Sequence, residues 1–252
     1  MEIENLLEMA RLASSEASKA ILTIYNSDNF EISLKSDHSP LTLADQTSHE
    51  IIVSYLEKTG IPILSEEGKD ISIKERLAWD LLWIVDPLDG TKEFIKRNGE
   101  FTVNIALVKQ GRPLLGVVEA PVLGQQFYGA VGLGAFLYEG EQTTSLSEIR
   151  ELDETIEGIK VVASRSHLSV ETEQFLDKLN SPEVVSMGSS LKFMMIAQGK
   201  ADIYPRFAPT MEWDTAAAHA IIKALGGHVR TIDGQELNYN KSNLLNPFFK
   251  VY

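Results

Sequence analysis

The sequence predicts an α/β protein whose N-terminal half is α+β, and three patterns carry that prediction. Apolar side chains recur at helical spacing from Ile3 to Ile24. Short β-like runs divided by glycine and proline turns fill the stretch from Pro62 to Tyr138, and strand and helix patterns alternate beyond residue 155. With 252 residues, 44% hydrophobic and 8% aromatic side chains, the chain can fill a core as one large domain or two small ones.

The elements follow in order. Ile3, Leu6, Leu7, Ala10, Ala13, Ala17, Ala20, Ile21 and Ile24 place one amphipathic helix over residues 3–26, with glutamates on its opposite face. An extended stretch at 30–34 and a break at Ser39-Pro40 precede a second helix over 43–58, closed by Gly60. Runs at 62–65, 81–85, 101–108, 114–120, 126–131 and 135–138 read as an antiparallel meander. A polar stretch over 141–157 follows. Strands at 159–163, 183–187 and 201–205 then alternate with helices at 170–179, 190–198 and 213–225. The expected domains are residues 1–155 and 156–252.

Thirty-six acidic against 23 basic residues give a net charge of −13, which excludes a nucleic-acid coat. The absence of cysteine removes disulfides, thiolate metal sites and thiol nucleophiles, and fits a reducing cytosol. Glu2, Glu4, Glu8 and Glu16 interrupt the apolar positions of the N-terminus, so it reads as helix rather than export signal. No apolar run approaches the roughly twenty residues of a membrane span. A soluble, cytoplasmic protein is expected, with peripheral attachment to the inner membrane face left open.

The segment WIVDPLDGT (83–91) concentrates the chemistry. An apolar strand delivers Asp86 to its end, and Asp-Pro-x-Asp suits a type I β-turn, which brings its first and last Cα atoms within about 7 Å. Two unit charges 4 Å apart repel by about 4 kcal/mol at an effective dielectric near 20, a penalty that a divalent cation reverses. All-oxygen ligation, with a turn carbonyl such as that of Leu88, suits magnesium rather than zinc. Gly90 permits close backbone approach, and Thr91 opens a helical pattern whose free amides favour an anion. Glu66 and Glu67 stand at the end of an apolar run, and Asp214 stands at an N-cap position before the Ala-rich helix.

The order and spacing of LSEE (64–67), WIVDPLDGT (83–91) and EWDTAA (212–217), with KSDHSPLTLAD (35–45) ahead of them, resemble the inositol monophosphatase-like superfamily of magnesium-dependent, lithium-sensitive phosphatases. The resemblance runs almost end to end. It implies a layered α-β-α-β-α sandwich and two or three magnesium ions on Glu66, Asp86, Asp89, Asp214 and the Leu88 carbonyl. It also implies that Asp45 and Thr91 orient and activate the attacking water, with Glu66 on the activating ion. Metal-assisted in-line attack of this kind needs no covalent intermediate.

GSSLKF (188–193), ADIYPRF (201–207) and DGTKEFIKRNGEFTVN (89–104) resemble the bacterial 3′(2′),5′-bisphosphate nucleotidase branch. Where inositol phosphatases carry a glutamate seven residues before the last metal ligand, this sequence has Phe207. That branch implies contacts from Leu88, Asp89, Gly90, Thr91, His167, Ser189, Lys192, Arg206 and Asp214 to a nucleoside bisphosphate, cleared as a by-product of sulfate assimilation. Inositol 1-phosphate or fructose 1,6-bisphosphate hydrolysis is the alternative within the superfamily, and a non-catalytic nucleotide or magnesium sensor keeps the same residues. Haloacid-dehalogenase-like phosphatases share the aspartates and Gly-Thr, but their nucleophile motif is one residue shorter. Phe94, Phe101, Met194 and Met195 are expected in the core.

Overall fold

Helix α1 (Ile3–Tyr25) buries Leu6, Leu7, Ala10, Ala13, Ala17 and Ile21 along one stripe. The structure, a computed structural model, describes residues 2–26, 32–34, 40–163 and 168–252, with the backbone alone at 32–34 and 40–42. Strands β1 (Ile32–Leu34) and β2 (Pro40–Thr42) form an antiparallel pair that leads into α2 (Leu43–Leu56). One 3-10 turn (Glu57–Thr59) follows, and Gly60, at φ 68°, ends it. Helices α1 and α2 pack together on one face of the main sheet.

That sheet has seven strands whose spatial order is their chain order. They are β3 (Ile63–Ser65), then, after the short helix α3 (Ile73–Arg76), β4 (Leu81–Asp89), β5 (Thr102–Lys109), β6 (Arg112–Ala120), β7 (Gln125–Ala130), β8 (Gly134–Glu139) and β9 (Gln142–Ser145). Helix α4 (Thr91–Ile95) sits between β4 and β5. Only β3 and β4 run parallel, since α3 lies in the crossover between them, and the rest form the expected meander.

Side chains alternate across this sheet at the strand period. Trp83, Val85, Val103, Ile105, Leu107 and Val117 meet α1 and α2, while Leu82, Ile84, Ala106, Val108, Val118 and Phe127 meet the helices of the second half. Both faces are covered, which is why these strands read as nearly continuous apolar runs.

The second half comprises β10 (Lys160–Val162), α5 (Val170–Leu176), β11 (Glu183–Val185), α6 (Leu191–Ala197), β12 (Tyr204–Arg206), α7 (Glu212–Ala224), β13 (Val229–Thr231) and β14 (Phe249–Val251). Strands β10 and β11 pair in parallel, β12, β14 and β13 pair antiparallel, and a bridge from Val161 to Ile203 joins the two sets. Helices α6 and α7 fill the space between the main sheet and these strands. On the far side, α5 adds Phe175 and Leu176 to Ile159, Val161, Leu179 and Ile203. The layers are therefore helix, sheet, helix, sheet, helix, as the resemblance implies. The boundary expected near residue 155 falls in the irregular segment between β9 and β10, and one apolar core runs from β4 and β5 to α7 and β14 across it.

Close approach fixes α7 on the sheet. A Cβ at Gly116 on β6 would lie 2.0 Å from the Ala217 carbonyl oxygen, so the alanine face of α7 meets bare backbone. This seats the second turn of α7 against the main sheet.

Four local expectations need correction. Residues 86–89 continue β4 rather than closing a β-turn. Asp214 is the third residue of α7, whose N-cap is Met211. The polar stretch 141–157 contains β9, an edge strand with all four residues exposed and hence without apolar alternation. The strand expected at 201–205 is displaced to Tyr204–Arg206, because its partner β14 comes from a C-terminal segment with no readable strand pattern.

Candidate active site

The end of β4 carries a bulge. Asp86 pairs with Asn104 and Asp89 with Thr102, so β4 has one residue more than β5 between these pairs. Pro87 has no N–H to leave unpaired, and its carbonyl accepts a 2.7 Å hydrogen bond from Ser48 on α2. The Leu88 N–H donates to Asp86 Oδ1 at 3.1 Å, and the Leu88 carbonyl accepts from Thr91 Oγ1 at 3.4 Å. Gly90 turns the chain into α4 at φ 96°, a left-handed conformation that favours glycine.

Asp86, Asp89 and Asp214 each place a carboxylate oxygen within 4.8 Å of the other two. One oxygen of each is committed to a backbone N–H. Asp86 Oδ1 accepts from Leu88, Asp89 Oδ2 from Ser190 at 2.8 Å, and Asp214 Oδ2 from Met211 at 2.9 Å. Ser189, held at φ 53°, also donates its hydroxyl to Asp89 Oδ2. Ser190 Oγ sits 2.8 Å from the Asp214 carbonyl and accepts from Asn104 Nδ2 at 3.0 Å. The second oxygen of Asp86 is buried and has no hydrogen-bond partner among the described residues. Each aspartate thus has one oxygen fixed by a backbone N–H.

The site is built to hold positive charge. Burial, and after it the charges of Glu66, Asp89, Asp214 and Asp45, hold the Asp86 carboxyl well above the usual carboxylate range. Burial and Asp89 push Asp214 up to about 8, against the opposing pull of the Met211 N–H and Arg206. A cation bridging the three would remove both penalties, and the orphaned Asp86 Oδ2 and the all-oxygen donor set fit a hard divalent ion.

Asp45 is fully buried in the first turn of α2, near enough for its charge to act on Asp86. Glu66 follows β3, where its N–H donates to the Val85 carbonyl at 3.1 Å. Its side chain lies at the exposed rim, outside the three-carboxylate cluster, yet it is the strongest charged influence on Asp86.

Cations and acids share a cavity of about 260 Å³ whose lining includes Asp89, Asp214, Ser189, Lys192, Arg206 and Thr210. Lys192 Nζ donates to the Ser189 carbonyl at 3.2 Å. Burial draws its pKa below the ordinary value, with Asp89 opposing and Arg206 reinforcing. Arg206 Nη2 donates to the Pro209 carbonyl at 3.2 Å, and its Nε is buried with no hydrogen-bond partner among the described residues. Both cations can therefore take a further anion.

Most of the sequence-predicted residues meet here. His167 and residues 35–39 of the N-terminal motif lie outside the described residues. Phe207 packs between Phe175 and Phe248, with ring centroids 5.9 and 6.0 Å away, rather than lining the cavity. Phe94, Phe101 and Met194 are buried, and Met195 is partly buried against the core. Ser48, Ser190 and Asn104 were not legible as site residues, because each acts through a tertiary partner and carries no local signal.

Comparison with known proteins finds relatives over nearly the whole chain. The chain is 44% identical over 253 aligned positions to the 3′(2′),5′-bisphosphate nucleotidase CysQ of Salmonella typhimurium, covering 99% of this chain and 98% of the relative. It is 42% identical to the CysQ of Escherichia coli K12, with the same coverage. The crystal structure of CysQ from Bacteroides thetaiotaomicron, described as a bacterial member of the inositol monophosphatase family, superposes with a TM-score of 0.88 at 44% identity, covering 99% of this chain and 97% of that one. Residues 2–248, which contain every carboxylate of the site, match the model of the inositol monophosphatase family, and the chain belongs to that family.

Proposed function

We propose that the protein is a magnesium-dependent phosphatase that removes the 3′-phosphate of adenosine 3′,5′-bisphosphate, giving AMP and inorganic phosphate, with the corresponding sulfated nucleotide as a second substrate. The observation that carries this reading is one cavity lined by charges of both signs: Asp89 and Asp214, which cluster with Asp86, and the cations Lys192 and Arg206. A monophosphate needs only the acids. A bisphosphate uses both, and in a chain of net charge −13 its second phosphate requires local cations.

Asp86, Asp89, Asp214 and the Leu88 carbonyl, with Glu66 at the rim, are the residues to hold two or three magnesium ions. Bound there, magnesium lowers the pKa of water and neutralises charge on the phosphoryl and leaving oxygens. Asp45 and Thr91 orient the attacking water. Its oxygen bonds to phosphorus as the bond to the 3′-oxygen breaks, the water gives up a proton and the departing 3′-oxygen takes one up as the hydroxyl of AMP, and no protein atom becomes phosphorylated. Lys192 and Arg206 hold the 5′-phosphate, with Ser189 and Gly90 in the same cavity lining, and His167 is a further contact to the nucleotide.

In this reading residues 1–155 contribute most metal ligands, and residues 156–252 contribute Asp214 and the cationic side. The enzyme works in the cytoplasm, where sulfo-donor nucleotides are spent. No helix among the described residues is long and apolar enough to cross a membrane. The deciding measurement is a side-by-side panel of adenosine 3′,5′-bisphosphate, inositol 1-phosphate and fructose 1,6-bisphosphate with magnesium. The nucleotide should have the highest kcat/KM, and a clear preference for inositol 1-phosphate would overturn the assignment.

A further inference from the structure

Asp214 has a neighbour whose role the metal site alone does not explain. Glu212 opens α7 two residues earlier and is fully buried. A carboxylate in that position is costly unless donors surround it. Here they come from one short segment after β13. The Asn240 N–H donates to Glu212 Oε2 at 2.5 Å, and the Lys241 N–H and Nζ donate to Oε1 at 3.0 and 2.6 Å.

This grip is anchored on both sides. Asn240 sits at φ 58°, a left-handed conformation that asparagine tolerates. Its side chain is pinned to the N-terminal half: Oδ1 accepts from buried Arg76 at 2.8 Å, and Nδ2 donates to the Arg76 carbonyl at 2.9 Å. Beyond it, the Glu212 N–H donates to the Leu244 carbonyl at 3.0 Å, and Asn246 Nδ2 donates to the Met211 carbonyl at 2.8 Å. The backbone from Met211 to Glu212 is therefore enclosed by a segment that is itself fixed to α3.

The consequence for the site runs through Met211. Asp214 is oriented by the hydrogen bond from the Met211 N–H to its Oδ2, so the direction of its other oxygen depends on where residues 211–214 lie. Magnesium tolerates little deviation from octahedral geometry, and groups that orient its ligands tune affinity even without touching it.

We propose that Glu212, clamped by Asn240 and Lys241, is a positioning residue for the cation site: it fixes the helix start that presents Asp214, and so sets metal affinity more than substrate binding. This rests on the cation site proposed above. A fold staple alone would affect stability without affecting the metal.

The test uses the full chain freed of metal, titrated with Mg²⁺ by calorimetry, with urea unfolding in chelator as the stability readout. Glu212→Gln and Lys241→Met are each expected to weaken Mg²⁺ binding by about 10- to 100-fold. At saturating Mg²⁺ the KM for the bisphosphate should stay within about twofold, and Lys241→Arg should recover much of the metal affinity. Glu236→Gln, which breaks the ion pair to Lys223 at the opposite end of α7, serves as the control: it should lower stability and leave Mg²⁺ binding unchanged. Lys241→Met keeps both amide donors, so it remains informative if Glu212→Gln fails to fold. Folded variants that bind Mg²⁺ like the parent would overturn the clamp. A parent protein that binds no Mg²⁺ would instead remove the cation site, and this inference with it.

Discussion

The Ser190 N–H donates to Asp89 Oδ2 at 2.8 Å, joining residues 101 positions apart. The entry to α6 and the end of β4 thereby share one carboxylate. Ser190 Oγ, 2.8 Å from the Asp214 carbonyl, extends the connection to α7. Three elements distant in the chain meet at the carboxylate cluster, and the cavity with Lys192 and Arg206 begins beside it.

Asp89 is the shared member of this arrangement, so its charge should be indispensable. Asp89→Asn keeps the shape and one acceptor oxygen but removes a unit of negative charge from the cluster. Magnesium-dependent phosphate release is expected to fall by more than about 100-fold, beyond the 10- to 100-fold typical of residues that only support ligands. Steady-state assays across a wide Mg²⁺ range measure this, and near-normal turnover at high Mg²⁺ would refute the role.

Arg206 should discriminate the number of phosphates. A hydrogen bond to a charged group contributes about 1.5–3 kcal/mol, so Arg206→Ala should raise KM for adenosine 3′,5′-bisphosphate by roughly 10- to 100-fold. The KM for 3′-AMP, which lacks the second phosphate, should change little. Equal effects on both substrates would make Arg206 a structural residue.

Acid stability should depend on His219. Its Nδ1 lies 2.9 Å from the Tyr239 hydroxyl and its Nε2 3.7 Å from Glu236, with Lys223 and Arg112 nearby, and burial pushes its pKa down to about 3. The folded pKa is below the unfolded value of about 6.5, so the unfolded chain binds a proton that the folded chain refuses. This contribution is complete above pH about 6.5 and is lost as pH falls toward about 3, amounting to a few kcal/mol at about 1.4 kcal/mol per pH unit. In the metal-free protein the raised pKa values of Asp86 and Asp214 act in the opposite sense, so the comparison is between proteins. Urea unfolding from pH 4 to 7 should show a flatter acid limb in His219→Gln than in the parent, and parallel limbs would contradict it.

Gly116 should be intolerant of any side chain. Gly116→Ala would drive a Cβ into the Ala217 carbonyl, and overpacking of this severity costs about 3 kcal/mol or more. Displacing α7 should also cost activity, because Asp214 moves with it. A urea midpoint and kcat both close to the parent's would show that α7 can shift without consequence.

The elements of the core were largely legible because their signals are local. Helical periodicity outlined α1, and the apolar runs of β4 to β8 outlined the meander, since both sheet faces are buried. The misses share one cause. β9 is a wholly exposed edge strand, and β13 and β14 are short strands held by each other and by β12, so none carries an apolar rhythm of its own. The Asp-Pro-Leu-Asp segment has turn chemistry, yet pairing with β5 draws it into a bulged strand.

By itself the sequence determined the chemistry on offer: no thiolate ligands, oxygen donors in three separated motifs, and too few cations for any large polyanion. Motif order was enough to name the family to which those donors belong. Only the tertiary structure decided which acids form the tight cluster and which stands at its rim. Asp86, Asp89 and Asp214 converge because a bulge, a serine pair and a clamped helix start each fix one oxygen, while Glu66 follows a strand that ends at the surface. Residue type sets what a side chain can bind; the direction in which it is presented comes from hydrogen bonds to partners far away in the chain, and those have no local signature.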